Sequence, residues 1–218
     1  MKKHTYQAVI FDLDGVITDT ARYHYVAWKR LAESQGVAFD EAFNETLKGI
    51  DRATSLDLIL AQAGRTYTLE EKQVLSDQKN VEYVKLVEEM SAKDLLPGAV
   101  QALDSVRAAG LKIGLASVSK NAFMVLERLG ITDKFDYVVD ARTIARGKPD
   151  PEIFLKAAAE LGVAPADCLG VEDAVAGVAS IKDAGMFAVG IGQASVLTQA
   201  DDVIDSLAQF DLSRYWVA

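Results

Sequence analysis

Residues 9–19 read VIFDLDGVITD, and this stretch decides the fold. Val9, Ile10 and Phe11 form an apolar run without alternation, the pattern of a strand buried on both faces of a parallel sheet. The run stops at Asp12 and Asp14. Gly15 follows, and glycine allows a sharp turn or a close backbone approach that bulkier residues resist. In open α/β sheets ligands bind outside the carboxyl ends of strands. Carboxylates at positions i and i+2 there face one small site. Two aspartates that merely cap a turn are the bland alternative. Burying like charges without a cation is too costly to favour it.

Outward from this stretch, residues 1–6 are polar and expected to fray. The first strand spans about residues 7–11. From residue 20 to 91 no strand pattern occurs. Tyr23, Ala27 and Leu31 recur at helical spacing, with His24 and Trp28 one turn apart beside them, and Gly36 closes that helix. A short helix is expected over residues 41–47. Asp51 reads as the N-cap of the next, whose stripe is Leu56, Ile59, Leu60 and Ala63, ended by Gly64. A longer, looser helix covers 70–89. From Leu96 the pattern alternates between helices and short apolar strands. Strands are expected at 113–116, 137–139, 169–171 and 188–191, with a short last one at Val203-Ile204. Ser119 reads as the cap of a helix running to Leu129, and Asp150 and Pro151 as the N-cap and first residue of another. This alternation predicts a parallel, doubly wound sheet.

Four of the strand-end loops carry polar residues suited to phosphate chemistry. The first holds Asp12 and Asp14. The second holds Ser117 and Ser119, small hydroxyls beside a helix N-terminus, where phosphate oxygens bind. Helix capping alone is the competing reading for both. In the third, Lys148 precedes Pro149, which favours an extended backbone and aims the cation; read alone, it is a solvated lysine. The fourth is the acid pair Glu172-Asp173, directly after an apolar strand.

Composition sets the outer limits. The chain has 218 residues, 50% hydrophobic and 25% charged, with a formal net charge of −9. That is globular, with length for a real core. No basic cluster exists beyond Lys2-Lys3, which argues against nucleic acid as a partner. A phosphorylated substrate must be held by a few placed cations. The single cysteine, Cys168, excludes an intramolecular disulfide and reads as a buried structural thiol. The apolar stretch at 8–11 is too short for a leader, and no segment approaches a membrane span. The chain reads as cytoplasmic and, with no oligomerisation stripe, as a monomer.

The run Asp12-Leu13-Asp14-Gly15-Val16-Ile17-Thr18-Asp19 resembles the first motif, DxDG[VT]xxD, of the haloacid-dehalogenase-like superfamily. Ser117, Lys148 and Glu172-Asp173 match its other three motifs in order. The resemblance implies a Rossmann-like core of residues 1–19 and 92–218 with residues 20–91 inserted as a helical cap. It implies Asp12 as a nucleophile that becomes an aspartyl phosphate and Asp14 as general acid/base. Ser117 and Lys148 would hold the transferring phosphoryl group. Mg²⁺ would be held by Asp12, the backbone carbonyl of Asp14 and Asp173, with Glu172 a ligand or directly behind one.

Further stretches narrow the likeness. Asp19-Thr20-Ala21 with His24, Ala27 and Trp28 resembles the hinge and first cap helix of the superfamily's beta-phosphoglucomutase group. Phe43-Asn44-Glu45, Leu47-Lys48-Gly49-Ile50, Arg52 and Ser55-Leu56 resemble that group's cap loop FNExLKGxSRxxSL. The residues from Ala116 to Ala122 and from Gly147 to Phe154 continue it. The group likeness implies interconversion of beta-D-glucose 1-phosphate and 6-phosphate, with glucose 1,6-bisphosphate as activator and intermediate. Thr20, His24, Trp28, Lys48, Gly49, Arg52, Ser119, Lys120 and Asn121 would meet the sugar phosphate. Arg52 in particular would grip a distal phosphate; its bland reading is an exposed helix arginine. Asp51 departs from the group, which has Ser there, and adds a negative charge near the expected substrate. The alternative function is a Mg²⁺-dependent sugar-phosphate phosphatase on the same scaffold. A silent phosphate-binding member is a third reading, against which the intact acid and lysine set argues.

Overall fold

The computed structural model describes residues 4–217. Lys2-Lys3 and the first half of the segment expected to fray lie outside the described residues. The remainder of that segment is docked. His4 N donates to Tyr215 O at 3.0 Å, and Tyr6 is buried. The expectation of fraying missed that the end of the chain returns to cover this segment.

The described elements are β1 (Ala8–Phe11), α1 (Ala21–Ser34), α2 (Glu41–Glu45), α3 (Arg52–Leu60), α4 (Leu69–Glu88), α5 (Ala99–Ala108), β2 (Lys112–Leu115), α6 (Ala122–Leu129), β3 (Tyr137–Val138), α7 (Glu152–Leu161), β4 (Cys168–Glu172), α8 (Val175–Asp183), β5 (Phe187–Ile191) and β6 (Asp202–Ile204). The six strands form one sheet in the order β3-β2-β1-β4-β5-β6, all pairs parallel. This is the α/β, Rossmann-like doubly wound arrangement that the alternation predicts. The apolar run of β1 now has its reason. Val9 and Phe11 belong to the core on one sheet face, and Ala8 and Ile10 to the core on the other. All four are fully buried.

Helices α1 to α4 lie between β1 and β2 in sequence and carry a third apolar cluster, which includes Trp28, Leu31, Leu56, Ile59 and Leu75. Their caps follow local chemistry. Asp51 accepts from the N–H groups of Ala53 and Thr54, as its N-cap reading predicts. Thr68 and Glu71 form a reciprocal capping box at the start of α4.

Several boundaries differ from the sequence reading. β4 runs through Glu172, one residue further than expected, because Glu172 pairs with Gly190 of β5. The α6 N-cap is Asn121, without a side-chain cap bond; the Ser119 hydroxyl instead accepts from Asn121 N at 3.3 Å, one step before the helix. Pro151 takes the N-cap position of α7. Asp150 still accepts from Glu152 N at 3.0 Å, so its capping chemistry survives one residue out of place. Among the described residues no helix is long and apolar enough to cross a membrane.

Candidate active site

The sheet order reverses between β1 and β4, the switch point at which α/β sheets bind ligands. Phe11 pairs with Val171, and Asp12 N donates to Val171 O at 2.9 Å. The register therefore sets Asp12 beside Glu172. Between them stands Lys148, whose Nζ donates to Asp12 Oδ1 at 2.6 Å and to Glu172 Oε2 at 2.7 Å. All three are buried. The Lys148–Pro149 peptide bond is cis. Glu172 Oε1 also accepts from the N–H groups of Asp173 and Ala174, each at 3.1 Å. Ser117 is buried at the end of β2, and its hydroxyl accepts from Ser119 N at 3.1 Å.

One lysine does not balance this many acids. Burial, then the charge of Glu172, pushes the Asp12 carboxyl up to about 7 despite Lys148. Burial, then Asp12, pushes Asp14 up to about 8. Asp173 is held well above the ordinary carboxylate range by burial and by Glu172 and Asp12. For Lys148, burial works against the charge, but Asp12 and Glu172 outweigh it and hold the ammonium above the ordinary lysine range. Asp14 Oδ1 is buried with no hydrogen-bond partner. Asp12, Glu172 and Asp173 each offer an oxygen atom, and these atoms lie within 4.8 Å of one another. Hard oxygen donors with excess negative charge fit a divalent cation such as Mg²⁺.

Against this acidic end opens a cavity lined by Asp14 and Asp173 on one side. On the other side stand His24, Trp28, Lys48, Gly49 and Arg52, with Val118 and Ser119 between. The helical segment closes tightly onto the sheet domain here. A Cβ on Gly49 would lie 3.2 Å from Ala174 Cβ, and one on Gly147 would lie 3.1 Å from Asp51 Oδ2. The Asp51 charge is tied to its own helix by the two cap bonds and by Thr54 Oγ1, which donates at 2.6 Å.

Most expected residues meet at this cavity, with differences in detail. Lys48 pairs with Glu45 at 2.9 Å. Arg52 is half-buried, and its Nη2 donates to Asn80 Oδ1 at 2.6 Å. Thr20 is fully buried, its hydroxyl without a partner. Asn121 reaches the helical segment through its Nδ2, which donates to Asn80 Oδ1 at 2.9 Å. Lys120 is exposed, and its side chain is absent from the cavity lining.

The sequence reading missed Lys79, Asn80 and Tyr83 on α4. Lys79 Nζ stands 2.8 Å from His24 Nδ1 and 4.4 Å from the centre of the Trp28 ring. Burial, then Arg52, holds the Lys79 ammonium well below the ordinary lysine range. A usable signal existed. Leu75, Lys79, Tyr83 and Val87 recur every four residues and are the buried residues of α4, so spacing puts Lys79 on the inner face. Asn44 and Ser55 also line the cavity; the likeness to the cap loop includes both, but their spacing alone reads as ordinary helix.

The model of the haloacid dehalogenase-like hydrolases matches residues 6–185. The chain belongs to this family. Within it, this haloacid dehalogenase-like chain is 51% identical over 208 residues to the beta-phosphoglucomutase of Bacillus subtilis, covering 94% of the chain and 92% of that protein. It is 33% identical over 184 residues to the phosphorylated carbohydrates phosphatase of Thermotoga maritima, covering 83% and 82%. Among solved structures, the beta-phosphoglucomutase of Clostridium difficile superposes with a TM-score of 0.94 at 48% identity, covering 96% of this chain and 95% of that one.

Proposed function

We propose that the protein is a beta-phosphoglucomutase that interconverts beta-D-glucose 1-phosphate and glucose 6-phosphate. The observation that carries this reading is the cavity that places Asp14 and Asp173 on one side and the cations Lys48 and Arg52 of the helical segment on the other. A mutase handles a substrate with two phosphate positions, so it needs a cationic grip away from the reacting carboxylate. The 51% identity to a protein of that name supports the same reading. Residues 20–91 act as a cap and residues 1–19 and 92–218 as the catalytic core.

In this scheme Asp12 attacks the phosphorus of glucose 1,6-bisphosphate. The phosphorus–oxygen bond to the sugar breaks, and Asp14 gives its proton to the leaving sugar oxygen. Asp14, now ionised, takes the proton from the 6-hydroxyl of beta-glucose 1-phosphate. That oxygen attacks the aspartyl phosphate, which frees Asp12 and re-forms the bisphosphate. The bisphosphate then presents its 1-phosphate to Asp12, and glucose 6-phosphate leaves. Lys148 and Ser117 offset charge on the transferring group. Asp12, the Asp14 carbonyl and Asp173, with Glu172 a ligand or directly behind one, would hold Mg²⁺, which would offset the repulsion between carboxylate and phosphate. Lys48 and Arg52 hold the phosphate that is not reacting, with Ser119 and Asn121 opposite. The raised Asp14 carboxyl, at about 8, suits a group that must both give and take a proton near neutrality.

The test is a coupled assay with Mg²⁺, beta-glucose 1-phosphate and a trace of glucose 1,6-bisphosphate, read by glucose-6-phosphate dehydrogenase while released phosphate is followed alongside. The expected result is glucose 6-phosphate without matching phosphate. Phosphate release without glucose 6-phosphate would move the protein to the sugar-phosphate phosphatases.

A further inference from the structure

Arg52 opens α3 and lines the cavity, and Asn121 precedes α6, two residues beyond the lining residue Ser119. A single atom on a third element joins them. Asn80 Oδ1, on α4, accepts from Arg52 Nη2 at 2.6 Å and from Asn121 Nδ2 at 2.9 Å. An amide oxygen has two lone pairs, and these two bonds use both. Among the described residues Arg52 makes no ion pair with a carboxylate; burial disfavours its charge most, and the charge of Asp77 farther off favours it. The guanidinium is thus oriented by a neutral group and keeps its charge.

We propose that Asn80 is a positioning residue for the distal-phosphate site. Its carbonyl gathers one donor from the cap and one from the core and aims both at the same place, without neutralising the cation. A carboxylate at this point would hold Arg52 more tightly and would compete with a phosphate for it. The inference rests on the reading of Arg52 and Asn121 as ligands of the phosphate that is not reacting. It adds that the neutrality of residue 80 matters as much as its shape.

The test uses the full chain with Asn80→Ala and Asn80→Asp. Three quantities are read: the dissociation constant of glucose 6-phosphate by calorimetry, kcat/KM in the coupled assay, and the rate of Asp12 labelling by acetyl phosphate. Asn80→Ala is expected to weaken glucose 6-phosphate about tenfold, the scale of one lost hydrogen bond to a charged group. Labelling, which requires a phosphate at Asp12 alone, should fall by a much smaller factor. Asn80→Asp is close to isosteric and stays readable if the alanine variant folds poorly. It should weaken sugar-phosphate binding more than alanine does.

Binding by Asn80→Asp at the wild-type level would overturn the role given to neutrality. Equal losses on glucose 6-phosphate and acetyl phosphate would reduce Asn80 to a structural residue. If the wild type releases phosphate instead of isomerising, the mutase reading falls, and the Asn80 comparison is still decided by the glucose 6-phosphate constants.

Discussion

Two glycines set where the acids beside Asp12 can stand. Gly15 has a φ of +83°, which an L side chain rarely adopts, and a Cβ there would lie 2.0 Å from Asp173 Oδ2. Gly177 on α8 has no Cβ because the Glu172 carboxylate packs where it would be, 1.9 Å from Oε2. Gly177→Ala should therefore displace Glu172, at a stability cost of about 1–3 kcal/mol for overpacking. It should also weaken Mg²⁺ binding. Urea unfolding and a Mg²⁺ titration check both; a variant equal to wild type in each would mean that Glu172 has room to move. The acids were legible because chemically costly types follow directly on apolar strands. Gly15 was legible as a turn or close approach but not as the seat of Asp173, and Gly177 was not legible at all, because each depends on which side chain the fold brings against it.

At the scale of elements, α1 and α4 meet through His24 and Lys79. The His24 ring packs 4.2 Å from that of Tyr83, and burial, then Lys79 and Arg52, holds its pKa well below the ordinary 6.5. Its Nδ1 lies 2.8 Å from Lys79 Nζ, so the fold disfavours the imidazolium. Unfolded, His24 takes up a proton as pH falls through its ordinary value. Stability from this group is therefore present above pH 6.5 and lost on acidification, by at most about 1.4 kcal/mol per pH unit for one proton. The buried Asp12, Asp14 and Asp173 act in the opposite sense, since their pKa values are raised. The readout is then the difference between wild type and His24→Gln in unfolding free energy between pH 7 and 5, and His24→Gln should lose less. Parallel pH curves would remove His24 from the account. α4 itself was legible as a helix, whereas the roles of its buried Lys79 and half-buried Asn80 were not. Asp77-Gln78-Lys79-Asn80 reads locally as a solvated face, and only the four-residue spacing to Tyr83 and Val87 points inward.

For the whole molecule, the last residues do more than their sequence suggests. Tyr215 is 1% exposed, its hydroxyl donates to Asp202 at 2.7 Å, and its ring packs on Phe187 and Phe210. Trp216 Nε1 donates to Tyr6 O at 3.0 Å. Tyr215→Ala should cost about 3–5 kcal/mol, in the range for a buried aromatic, and chemical denaturation would detect it; a loss under 1 kcal/mol would mean that the end of the chain is not part of the core. This segment lacked a periodic signal because its aromatics follow short 3₁₀ turns, with Phe210 and Tyr215 directly after them, while the alternating helices and strands made the sheet plain. The central place of β1 also has a consequence in time. Ala8 pairs with Lys112 and with Cys168, so β1, once synthesised, waits for partners more than a hundred residues away. Such distant pairing is slow to form. A nascent chain that has passed Asp12 has nothing to set beside it until β4 leaves the ribosome, so on the proposed reading a chain stopped short of Glu172 has its nucleophile and no reaction centre.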